Sequence, residues 1–121
     1  MGNRVYTLSV TTAGDGTGTD SEALGRGMWQ WLYAVQWVDG DFADGVDAVL
    51  SCLDPDGASV TLATLTDANA DGWYYVGVAE AGQDGAALTT YRLPIVQGTL
   101  TLTIAAGGAT KTGGCHVYTV D

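Results

Sequence analysis

The motif with the sharpest chemical meaning is Asp67-Ala68-Asn69-Ala70-Asp71-Gly72. It places side-chain oxygens at alternate positions ahead of a glycine, as in the first half of a calcium loop. A complete loop needs a bidentate glutamate at its twelfth position, which here is Val78. The flanks read as strands, where such a loop has helices. Asx residues before glycine also make plain turns. Asp67, Asn69 and Asp71 therefore form a candidate calcium site set against a simple turn. Asp39, Asp41, Asp44 and Asp47 are further oxygens if the fold brings them close. No other cofactor is expected.

Nucleophilic chemistry has thinner support. His116 is the single histidine, and none of Ser9, Ser21, Ser51 and Ser59 lies in a G-x-S-x-G turn. Fourteen acids make carboxylate pairs inevitable, so pairing alone does not point to glycoside hydrolysis. Gly14-Asp15-Gly16-Thr17-Gly18 lacks the lysine and the helix of a phosphate loop. Cys52, Cys115 and one histidine do not cluster as a zinc site. The start of the chain lacks the apolar segment of a secretory signal, so the cysteines read as buried thiols rather than a disulfide. No catalytic residue is nominated, and the chain is not expected to be an enzyme.

Residues 28–38 carry the densest aromatic pattern. Trp29, Trp31, Tyr33 and Trp37 fall on odd positions, with Gln30 and Gln36 on even ones. This alternation is that of a strand, and a length of about 36 Å invites a bulge or bend. The aromatic stripe has three possible uses. It fills a core, meets a partner, or stacks sugars as a carbohydrate-binding sandwich does. The glutamines mark the opposite face as wet or interfacial. Four tryptophans exceed what one small core fills. Trp29, Trp31 and Trp37 are therefore the candidate core or partner anchors.

The elements that must position these residues are strands. With 121 residues and 46% hydrophobic content, residues 1–121 read as one domain. Period-two patterning predicts strands at 5–12, 28–38, 46–53, 59–66, 73–79, 91–96, 99–104 and 115–120. Acidic or glycine-rich turns separate them, and residues 13–21 read as a mobile loop ordered by a partner. The fold class is therefore all-β, an antiparallel sandwich of about eight strands, a number that a jelly roll also uses. A net charge of −10 argues against nucleic acid and anionic membrane surfaces as partners. No apolar run reaches the ~18 residues of a membrane span.

Several segments together resemble the small β-rich virion proteins encoded among the head genes of tailed bacteriophages. They are residues 5–12, Gly25-Arg26 before the long strand, the turn at 38–47, residues 64–71 and the ending at 107–118. The family includes capsid decoration or cement proteins. The resemblance implies a structural role on the capsid surface of the virion, reached from the host cytoplasm. Its implied partners are the major capsid protein and further copies of the chain, as a homotrimer. The Trp-rich strand departs from the family's plainer aliphatic pattern. The alternatives are a neck or tail accessory protein and a carbohydrate-binding module.

Overall fold

A computed structural model describes residues 2–24, 29–54 and 56–121. Gly25, Arg26 and Met28, which entered the expected long strand and the resemblance, lie outside the described residues, as does Pro55 of the expected 54–57 turn. Among the described residues there are eleven strands: β1 (Asn3–Thr11), β2 (Gly18–Ala23), β3 (Gln30–Val38), β4 (Asp47–Leu53), β5 (Ser59–Leu65), β6 (Gly72–Tyr74), β7 (Val78–Ala81), β8 (Ala87–Arg92), β9 (Ile95–Val96), β10 (Thr99–Ala105) and β11 (Thr112–Val120). No helix among the described residues is long and apolar enough to cross a membrane.

All ladders are antiparallel. The first sheet runs β1-β11-β3-β6, with β9 also on β3; the second runs β2-β10-β4-β5. β6 and β9 lie end to end along one edge of β3. Gly72 and Tyr74 face Trp37 and Val35, then Ile95 and Val96 face Trp31 and Gln30. They are two halves of one strand position, interrupted by an excursion that carries the β7–β8 hairpin. Counted this way, the sandwich has eight strand positions, four per sheet. The pairs nest as β1 with β11, β2 with β10, β3 with β6 and β9, and β4 with β5, which is the strand order of a jelly roll.

Three expected boundaries shift. Residues 18–23 are not part of a loop but form β2, paired along β10 from Ala23↔Thr99 to Gly18↔Ile104. Threonine, serine and acidic side chains gave this edge strand no apolar period to read. The loop that remains is tied down internally, with Ala13 N–H on Thr17 O at 2.8 Å and Gly16 N–H on Ala13 O at 3.0 Å. The expected strand at 73–79 breaks between β6 and β7. The one at 91–96 breaks at Leu93-Pro94, because proline cannot continue the ladder.

The core lies between the sheets. Leu8 and Val10 of β1, Cys115 and Val117 of β11, and Leu32 and Trp37 of β3 face Ala48, Leu50, Leu100, Leu102 and Ile104. In β3 the inward parity changes. Tyr118 pairs with Ala34 but Thr119 pairs with Leu32, so Tyr33 is an extra residue in a β-bulge. Gln30 and Leu32 point inward before it, Val35 and Trp37 after it. The odd-numbered aromatics therefore do not share one face. Gln30, expected on a wet face, is buried, and its amide is hydrogen-bonded to Tyr6 Oη and Thr119 Oγ1.

The accessible surface, 6737 Å², exceeds the ~6,200 Å² expected at this mass, consistent with a hairpin standing off the sandwich. Close approach of β1 to β11 depends on Gly114, whose added Cβ would collide with the backbone carbonyl oxygen of Leu8. Gly114→Ala is expected to lower the melting temperature by roughly 10 °C or more, or to prevent folding. Gly14→Ala, which meets nothing within 4 Å, leaves it unchanged. Thermal denaturation of both variants checks this.

Candidate functional site

The bulge at Tyr33 decides where each aromatic of β3 goes. Trp37 enters the core, stacks on Phe42 at 5.8 Å between ring centroids, and donates Nε1–H to Ala68 O at 2.9 Å. Trp29 is 52% exposed and meets Trp31 edge-on at 5.4 Å. Of the three nominated anchors, Trp37 is thus a core residue, Trp29 is exposed, and Trp31 is half-buried on the outward side of β3.

That surface continues across the outer face of the first sheet. Trp73 pairs beside Gln36, and Gln36 pairs beside His116, which places their side chains on this face. Trp73 packs on Tyr118 at 5.2 Å, and Tyr118 Oη donates to Gln36 Oε1 at 3.1 Å. Tyr33 meets Tyr75 edge-on at 6.2 Å, and Val5 pairs opposite Tyr118. Tyr33, Trp73 and Tyr75 are 53%, 50% and 69% exposed. With Trp29, these half-exposed rings present on the order of 500 Å². This is at the upper end of the apolar patch a monomer leaves open. Sequence reading missed Trp73, Tyr75 and Tyr118 as parts of one face. The signal present was the Trp73-Tyr74-Tyr75 run, but only the β3–β6 register shows which rings point out.

Charge is partitioned around this face. None of the chain's 14 acids lies in β1, β3, β6, β9 or β11. The nearest strand acid, Asp20 of β2, accepts Ser9 N–H at 2.9 Å and so covers the open edge of β1. His116 shares a 2.9 Å hydrogen bond with Thr7 Oγ1. The Cys115 thiol is pushed up to about 12, chiefly by burial and then by the charge of Asp20, which removes it as a nucleophile at neutral pH. Cys52 and Cys115 are both buried free thiols.

Half of the 14 acids, Asp15, Asp39, Asp41, Asp44, Asp47, Asp67 and Asp71, gather at one end of the sandwich, where four interstrand loops touch. Gly107 N–H donates to Gly16 O, Ala43 N–H to Gly107 O, and Ala68 N–H to Val46 O. The buried Thr12 hydroxyl adds bonds to Gly108 O and Lys111 N–H. Here the 67–71 turn does meet the 39–47 turn. Asp71 Oδ1 accepts Asp39 N–H at 2.8 Å, Asn69 Oδ1 accepts Gly45 N–H at 2.6 Å, and Asp47 Oδ1 accepts Asp67 N–H at 3.1 Å. Of the oxygens nominated for calcium, those of Asn69 and Asp71 serve with that of Asp47 as a clasp between loops, and Asp67 enters it through its backbone N–H. Among the described residues no group of three or more His, Cys, Asp or Glu is arranged to hold a metal. Asp39 bears the cost of this crowding. Burial and then the charges of Asp71, Asp44 and Asp41 raise its pKa, and Oδ1 is buried without a hydrogen-bond partner among the described residues.

Trp29 and the half-buried Trp31 stand at 86° to one another, so these two indoles do not form one flat surface. No protein-family model, curated protein or solved structure matches the chain.

Two outcomes follow for the clasp. Asn69→Ala is expected to destabilise the fold by about 1 kcal/mol, while calcium or a chelator leaves the wild-type melting temperature unchanged. A calcium-dependent rise would instead make the turn a metal site. For Asp39 the raised pKa means that the folded state holds the proton more tightly than the unfolded chain. Ionisation at neutral pH therefore opposes folding, and the penalty fades as pH falls through the folded pKa toward 3.8 and below. Asp39→Asn should melt a few degrees higher than wild type at pH 7 and level with it at pH 3. Paired melts at the two pH values test the sign.

Proposed function

We propose that the chain is a structural protein of a tailed-phage virion, a capsid decoration or cement protein. It binds the outside of the major capsid protein lattice and stiffens it, without catalysis. The observation that carries this reading is the aromatic outer face of an acid-free sheet in a chain of net charge −10. A strongly acidic body stays soluble as separate copies. It can still dock through a face that has no carboxylates to desolvate and has rings to bury. The sequence likeness to head-gene proteins supplies the lattice as partner. Repetition on that lattice turns modest single contacts into firm attachment. Copies joined as a homotrimer fit a local three-fold position. A neck or tail accessory protein would use the same face at low copy number.

Counting copies in purified particles tests the reading. Copies in fixed proportion to the shell subunit are expected, with particles that lack the protein breaking at lower temperature. Absence from mature particles would overturn it, and a few copies per particle would move the protein to the neck or tail. A Trp73→Ala, Tyr75→Ala double variant, which keeps the core, should bind stripped particles about tenfold more weakly or worse.

A further inference from the structure

The β7–β8 hairpin is paired only within itself among the described strands. All six residues of β8 are exposed. Two strands without further cover are marginal in water. Between this hairpin and the sandwich runs a cleft of about 610 Å³. One wall is residues 60–62 of β5, and the other is residues 78–81 of β7. Each wall is a run of consecutive residues, so the cleft meets both strands edge-on rather than on one face. β5 ends its sheet, pairing with β4, and β7 pairs with β8. Two strand edges thus face one gap, floored by Trp31, Pro94 and Ile95.

We propose that this cleft receives one extended segment of a partner protein, which adds as a strand between β5 and β7. The added strand would join the four strands of the second sheet to the hairpin. Strand spacing, sheet thickness and rise multiply to about 160 Å³ per extended residue, so the volume suits roughly four residues. Main-chain bonds supply the affinity in this mode, and alternate side chains supply the selectivity. Val60, Val78 and Ile95, each exposed in the free protein, call for apolar side chains. The ionisable groups lining the cleft, Glu80 and Arg92, neutralise each other at 3.6 Å. Beyond its ends stand Asp54 and Asp56 in the turn before β5, and Asp84 in the hairpin turn. The occupant is therefore a short apolar segment flanked by lysine or arginine. A second copy of this chain, itself at −10, does not offer that charge. The site goes beyond the virion reading and does not depend on it.

The probe is a synthetic lysine-flanked peptide of alternating valine and threonine, titrated into the intact protein. Hydrogen exchange should slow at residues 60–62 and 78–81, with a shift in tryptophan emission from Trp31. Val78→Glu and Ile95→Glu, both at exposed positions, should each weaken binding by about tenfold or more, because a carboxylate must then be desolvated. A glutamate-flanked peptide of the same core should bind at least about tenfold more weakly. Equal binding of the two peptides, protection confined to the first sheet, or no protection at saturating lysine-flanked peptide would each overturn the proposal. Concentration-dependent protection of the same residues without peptide would overturn it in favour of self-association.

Discussion

One extra residue in β3 governs the rest of the molecule. Side chains of a strand alternate, so an insertion reverses every orientation beyond it. At Tyr33 that reversal sends Trp37 into the core while Trp31 stays at the surface. Without it, Trp37 would share the outward side of Trp31, and the sandwich would lose its largest fully buried side chain. The same reversal lets Gln30 lie inside, where Tyr6 and Thr119 satisfy its amide. A buried amide left unpaired would cost several kcal/mol at the upper end of transfer estimates. The polar group is therefore a condition of the bulge.

Trp37 then links the core to the loops. Its ring stacks on Phe42, and its indole N–H holds Ala68. Those two contacts set the 39–46 and 67–71 loops against each other, and Asn69 and Asp71 complete the clasp. Burial of Asp39, and then repulsion from the carboxylates held close to it, raise its pKa. Elsewhere acids are used favourably. Thr17 donates its hydroxyl and its N–H to Asp15, and Gly2 N–H with Arg4 holds Asp121, so both carboxyls ionise more easily than usual. The acids of the turns and termini thus fasten backbone locally, away from the uncharged outer face of the first sheet.

Much of the architecture was legible in the sequence. Alternation marked β1, β4, β5, β10 and β11, and Asp54 to Gly57 marked the hairpin that joins β4 to β5. β2 escaped because an edge strand with two acids and three small polar or glycine residues buries no side chain fully. The bulge was foreseeable from length, but its position was not. A parity change needs the partner register, which lives on β11. For the same reason the aromatic face could not be assembled from sequence. Trp73 and Tyr118 are far apart in the chain and meet across β3. The D-x-N-x-D-G pattern was visible, yet its spacing serves equally to accept backbone N–H groups from a neighbouring loop.

The divided strand position has a consequence for how this fold can vary. Tyr74 and Ile95 sit against Val35 and Trp31 of the same β3 edge, four residues apart and roughly 13 Å in extended chain. A link of a few residues could span that gap and leave all eight positions of the sandwich filled. The twenty residues between are thus a graft on a finished scaffold. Selection can lengthen, recharge or exchange the hairpin at the centre of that graft, while its ends stay bound to the scaffold: Tyr75 against Tyr33, Val76 against the core, and Pro94 O accepting Leu32 N–H.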